Sequence, residues 1–115
     1  SHEEGDPDWL RVNQFFLGHL ARILTGLDAV QEGERTLLDN TMILFCSSML
    51  TGSHDNSQLP VLLCGRAGGQ LESGRVLDYR ESDNRRMSSL YLSLMDKMEL
   101  RLDEFGDSSQ RLAEI

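Results

Sequence analysis

Two apolar runs, Thr41-Met42-Ile43-Leu44-Phe45-Cys46 and Leu59-Pro60-Val61-Leu62-Leu63-Cys64, decide how this chain is read. Each is short and nearly continuous in aliphatic and aromatic residues, the pattern of a strand buried on both faces rather than of an amphipathic helix. Pro60 stands near the start of the second run, where a missing N–H is tolerated. Between the runs, Ser47 to Gln58 is mostly small and polar, interrupted by Met49 and Leu50. Such a connection is longer than usual, and long loops between the strands of α/β sheets often form the ligand-binding edge. His54 and Asp55 are its chemically versatile pair. An imidazole binds divalent metal or moves a proton near neutral pH, and a neighbouring carboxylate ligates, orients or accepts a proton. The same Ser, His, Asp and Asn residues also suit a solvated turn.

Outward toward the N-terminus, Leu38-Asp39-Asn40 leads into the first run, and Gln31-Glu32-Gly33-Glu34-Arg35 interrupts an earlier periodic segment. In that segment Trp9, Val12, Phe16, Leu20, Ile23 and Leu27 recur at spacings of three and four, flanked by Leu10, Leu17 and Leu24. The spacing predicts a helix with a wide apolar face, begun by Asp6-Pro7-Asp8 as N-cap, first-position proline and first-turn acid. Such a face must be covered by other structure. Toward the C-terminus, Gly65, Gly68 and Gly69 end the second strand, and Gly74 to Tyr79 reads as a third, weaker one. Ser82 or Asp83 then caps a helix with Met87, Leu90, Tyr91, Leu94, Met95 and Met98 on one face. Leu102, Phe105 and Gly106 mark a tail that docks rather than folds alone. The expected fold is α/β, a small sheet of two to three strands packed by two main helices, within one domain over 1–115 that forms part of a larger three-layer fold.

Composition narrows the function classes. The chain has 115 residues, with 39% hydrophobic and 26% charged, within the globular range. Its formal net charge of −8 opposes a phosphate backbone, and Arg85-Arg86 is an isolated basic doublet, which argues against a nucleic-acid partner. No apolar run reaches the roughly 20 residues that span a bilayer. Cys46 and Cys64 show no CxxC spacing and read as buried free thiols, with a cross-strand disulfide as the alternative in an oxidising compartment.

A second polar cluster, His2, Glu3, Glu4, Asp6 and Asp8, opens the chain. Asp6 and Asp8 suit the helix start through the macrodipole, which leaves His2 and Glu3 as the ligand candidates beside a plain frayed terminus. His19 falls on the edge of the first helix and reads as structural or solvated. Gly65-Arg66-Ala67-Gly68-Gly69 offers backbone N–H groups that would cradle an anion, but it lacks Gly-x-Gly-x-x-Gly spacing and no helix follows promptly, so a tight turn is the better reading.

Taken together, Ser1-His2, Leu37-Leu38-Asp39-Asn40-Thr41-Met42-Ile43-Leu44, Ser53-His54-Asp55 leading into Leu59-Pro60-Val61-Leu62-Leu63, Gly74-Arg75 and Phe105-Gly106-Asp107-Ser108 resemble the C-terminal part of the HXXSHH family of uncharacterised proteins. The likeness spans nearly the whole chain, with Glu3 standing where that family has a second histidine. It implies an exported, extracytoplasmic parent, periplasmic or secreted. More remotely, a strand followed by His54-Asp55-Asn56-Ser57-Gln58-Leu59 and a second strand ending in glycine is similar to the segment bearing a metal-ligand histidine in alkaline phosphatase-like hydrolases. That analogy implies a divalent metal (zinc, calcium or magnesium) held by His54, with Asp55, His2 and Glu3 as further ligands, and a nucleophile and remaining ligands supplied by an upstream part of the same protein. The expectation is a C-terminal piece of a phosphatase- or sulfatase-like metal-dependent hydrolase, inactive alone. The alternative is a non-catalytic binding or assembly module, including a homo-oligomer, that packs its helix faces on a partner.

Overall fold

A computed structural model describes residues 7–49 and 53–115. Along the chain come α1 (Pro7–Asp28), β1 (Gln31–Glu32), β2 (Arg35–Thr36), β3 (Ile43–Cys46), β4 (Val61–Cys64), a 3₁₀ turn (Ala67–Gly69) and α2 (Met87–Lys97). The architecture is a small mixed α/β one, with two α-helices and two two-stranded antiparallel sheets among the described residues. The chain divides into two units, Ser1–Gly69 and Gln70–Ile115. No helix of the described residues is long and apolar enough to cross a membrane.

In the first unit, α1 starts at Pro7 and keeps Asp8 in its first turn, as the cap reading requires, while Asp6 lies outside the described residues. Of the wide apolar face, only Leu20 is fully buried, and Trp9, Leu24 and Leu27 are half-buried along the same line. Val12, Phe15, Phe16 and Ile23 are each more than half exposed. The helix therefore leaves one flank of its face open. Its C-terminal end is tied down by the backbone, since Leu38 N–H donates to the Leu27 carbonyl at 3.3 Å and Leu37 N–H to that of Val30 at 2.8 Å.

The segment read as an interruption is a hairpin, with Gln31 paired to Thr36 and Glu32 to Arg35. Gly33, at φ 64, takes the first central position of its two-residue turn, where a left-handed residue matches the twist of the flanking strands. Its strands are too short and polar to show a hydrophobic period.

The two strands expected from the apolar runs are present as β3 and β4, in the register Ile43↔Cys64, Leu44↔Leu63, Phe45↔Leu62 and Cys46↔Val61. This register corrects the cysteine reading. The thiols sit at opposite ends of the ribbon, so they cannot form a cross-strand disulfide, and Cys46 is exposed rather than buried. Gly65 closes the ribbon at φ 89, and a Cβ there would overlap the Thr41 carbonyl and come within 3.0 Å of the Leu38 oxygen. Only glycine permits this approach.

The second unit contains Leu71, Leu90, Leu92 and Leu94, four of the five fully buried apolar side chains among the described residues. Three sequence expectations are corrected here. Gly74 to Tyr79 is not a strand: Gly74 turns at φ 76, Val76 is 94% exposed, and no strand pairs with the stretch among the described residues. Ser82 and Asp83 do not cap α2, which starts at Met87 after an extended Arg86 with no side-chain cap, and Ser82 Oγ donates to the Asn84 carbonyl instead. The buried face of α2 is also rotated by about a third of a turn from the Met/Leu stripe. Ser89 and Ser93 lie on its buried line, flanked by Leu90, Leu92 and Leu94, while Met98 is exposed beyond the helix end.

Hydrogen bonds explain that rotation, because a buried hydroxyl is tolerated when it has partners. Ser89 Oγ donates to Asn84 Oδ1 at 2.8 Å and shares a hydrogen bond with Ser108 Oγ. Ser93 Oγ donates at 3.2 Å to the carbonyls of Ser89 and Leu112 and accepts from Leu112 N–H at 2.9 Å. The tail is thus held on α2 by hydroxyls as well as by apolar contact, with the Tyr91 and Phe105 rings edge to face at 6.1 Å. No buried side-chain polar atom of the described residues lacks a partner.

Two substitutions test these locks. Gly65→Ala should cost at least about 2 kcal/mol in chemical denaturation, because it combines a left-handed backbone with a backbone clash. Ser89→Ala leaves Ser108 and Asn84 short of a buried partner and should cost about 1–3 kcal/mol.

Candidate functional site

The β3–β4 connection carries His54 and Asp55, the foremost sequence candidates. Asp55 is half-buried and organises its own turn: Ser57 N–H and Ser57 Oγ both donate to Asp55 Oδ1, at 2.8 and 2.6 Å. This is an Asx turn, the local structure expected of such a sequence. His54 precedes it with φ 63, left-handed for a side-chain-bearing residue, and is exposed. A left-handed non-glycine residue is uncommon and costs on the order of 1 kcal/mol or more, so its backbone is set by the surrounding loop.

The donor types suit a borderline divalent ion, an imidazole nitrogen beside a carboxylate. They form part of a ligand set rather than a whole one. One oxygen of Asp55 already accepts two hydrogen bonds, and no group of three or more His, Cys, Asp or Glu among the described residues is arranged to hold a metal ion. His2 and Glu3 lie outside the described residues. His19 packs edge-on against the Phe15 ring at 4.4 Å on α1, in keeping with a structural place.

The glycine-rich segment after β4 is a tight turn whose amides have internal acceptors. Ala67 N–H donates to the Thr41 carbonyl at 3.1 Å, Gly68 N–H to that of Asp39 at 2.9 Å and Gly69 N–H to that of Arg66 at 2.8 Å. The anion-cradle alternative therefore fails at these three groups. Arg35, from β2, donates through its guanidinium to the Gly68 carbonyl, and Asn40 Nδ2 donates to Glu32 Oε1 at 2.8 Å.

Asp39 anchors this corner. Thr36 N–H donates to Asp39 Oδ2 at 2.9 Å, and Asp39 N–H donates to Thr36 Oγ1 at 3.2 Å. The Thr36 amide holds the Asp39 carboxyl below its ordinary range, helped by the Thr36 hydroxyl and by Arg66 and Arg35. Sequence reading passed over this reciprocal pair, although Thr-x-x-Asp is a recognisable local signature.

In the second unit, Arg111 donates from Nε and from one terminal nitrogen to the two oxygens of Asp96, both at 3.0 Å, and Arg101 adds a bond to Asp96 at 2.8 Å. Arg111 lowers the Asp96 pKa, with a smaller contribution from Arg101. Asp96 and Arg111 line an open cleft with Gln70, Ser93, Lys97, Leu112, Glu114 and Ile115. Within it Lys97 Nζ donates to the Gln70 carbonyl at 2.9 Å, and the cleft contains none of the sequence-predicted ligands. Nothing in the sequence pointed to Asp96 and Arg111, which lie fifteen residues apart.

No known protein family, curated protein or solved structure matches this chain.

The left-handed backbone at residue 54 separates fold from chemistry. His54→Gly deletes the imidazole while keeping a permissive backbone, and should change stability by less than about 1 kcal/mol. His54→Val should cost more than His54→Gly in the same denaturation experiment, because a β-branched side chain resists positive φ.

Proposed function

We propose that this chain is the C-terminal piece of a metal-dependent hydrolase-like protein, in which His54, with Asp55, His2 and Glu3, supplies ligands to a divalent-metal site completed by upstream residues. The observation that carries the reading is the setting of His54: an exposed imidazole, on a left-handed backbone, next to an Asx turn in the connection between two apolar strands. Connections held by a strand scaffold are where functional side chains concentrate. The likeness to alkaline phosphatase-like hydrolases supplies the reaction class.

In this reading a neutral His54 gives a nitrogen lone pair to the ion, and Asp55 orients the turn through Ser57 as well as offering a carboxylate oxygen. The bound ion would activate water or a nucleophile for phosphoester or sulfate-ester hydrolysis.

The second reading, a non-catalytic assembly module, is favoured by a different observation, the apolar flank of α1 formed by Val12, Phe15, Phe16 and Ile23.

The test uses the protein that includes the upstream segment. Elemental analysis should find a bound divalent ion, and His54→Gly should weaken its binding by more than about tenfold, the loss that even an outer-sphere change produces. p-Nitrophenyl phosphate and p-nitrophenyl sulfate turnover should fall with it. A protein without bound metal, whose ester hydrolysis is indifferent to His54→Gly, would leave the assembly reading.

A further inference from the structure

The β3–β4 ribbon is apolar on both faces. Ile43, Phe45, Leu62 and Cys64 point to one side, and Leu44, Cys46, Val61 and Leu63 to the other. Solvent-washed hairpins alternate apolar with polar, whereas strands inside a covered sheet do not. Yet none of these eight side chains is fully buried, and Leu20 is the one fully buried apolar side chain of the first unit among the described residues. Two strands alone are marginal in water, so the ribbon is built for a wider sheet.

Its two outer edges differ. Pro60 directly precedes β4, and a proline on an edge removes a donor and blocks pairing. Thr41 to Cys46 contains no proline and no charged residue, the usual guards of an exposed edge. Among the described residues, β3 pairs with β4 alone, and Ile43–Cys46 makes no backbone hydrogen bond outside that ladder.

We infer that the outer edge of β3 pairs antiparallel with β3 of a second copy of this chain, fusing two ribbons into one four-stranded sheet. A two-fold axis perpendicular to the sheet and passing beside Leu44 keeps like faces together. It sets Leu44 against its own copy, Ile43 against the second copy's Phe45, and Met42 against its Cys46. Every cross-strand pair is then apolar, the arrangement that stabilises a sheet, and no like charges meet despite the net charge of −8 on each chain. The two-fold uses the β3 edge of both copies, so the contact closes at two, and Pro60 beside β4 disfavours growth from the other edge. The inference uses none of the proposed metal ligands, so its test is read separately from that of the metal reading.

Sedimentation of the 115-residue chain should give twice its 13.0 kDa mass. Diluting from about 100 to about 1 µM should dissociate the dimer and speed exchange of the Met42–Cys46 amides by at least about tenfold. Leu44→Lys places two ammonium groups opposite each other at the axis, and should yield a monomer with unchanged far-UV circular dichroism. A monomer throughout that range overturns the inference, leaving the edge to a strand of the upstream segment or of another polypeptide. It is equally overturned by a dimer that dissociates on dilution while its β3 amides exchange at an unchanged rate, which would put the contact elsewhere, or by a folded Leu44→Lys chain that still dimerises. If Leu44→Lys does not fold, amide exchange of the unsubstituted chain decides.

Discussion

The antiparallel pairing of β3 with β4 is the constraint on which the first unit rests. Its register fixes which side chains share a face, and its far end is closed where Gly65 turns against the Thr41 and Leu38 carbonyls. That closure places the next amides on the Thr41 and Asp39 carbonyls and brings Arg35 to the Gly68 carbonyl. One permissive backbone position thereby connects the ribbon, the short hairpin and the corner organised by Thr36 and Asp39. At the other end, the same pairing holds the loop that presents His54.

The second unit depends on a different principle. A helix that buried only apolar groups would leave the tail to hydrophobic contact, which is non-directional. Ser89 and Ser93 instead give α2 directional groups inside the unit, met by Asn84, Ser108 and the Leu112 backbone. The Asp96–Arg111 pair reinforces the same docking with two parallel hydrogen bonds. Burial of the leucines provides the driving force, and the hydroxyls select one placement of the tail.

The two open apolar surfaces of the first unit, the α1 flank and the β3 edge, would bear on the proposed function as much as the imidazole would. A loop side chain is only as well positioned as the strands beneath it, and a two-stranded ribbon is a weak platform. Widening the sheet would stiffen the base of the His54 loop, so the proposed assembly and the proposed ligand binding would be compatible demands on one element.

The sequence by itself determined the elements whose signals are local and periodic: α1 from its three-and-four spacing and Pro7, β3 and β4 from their apolar runs, and α2 as a helix. It also marked His54 and Asp55, because a His-Asp pair in a long polar connection stands out against the strands around it. What it did not carry was everything set by partners distant in the chain. Periodicity placed the α2 face on Met and Leu, but hydrogen bonding turned Ser89 and Ser93 inward, and hydropathy cannot register a satisfied hydroxyl. A cross-strand disulfide between Cys46 and Cys64 stayed open until the register put the thiols at opposite ends of the ribbon, since pairing is fixed between strands and not along them. The same holds for Asp96 with Arg111 and for the open edge of β3: they exist only once the chain has folded, because they are relations between segments rather than properties of any one.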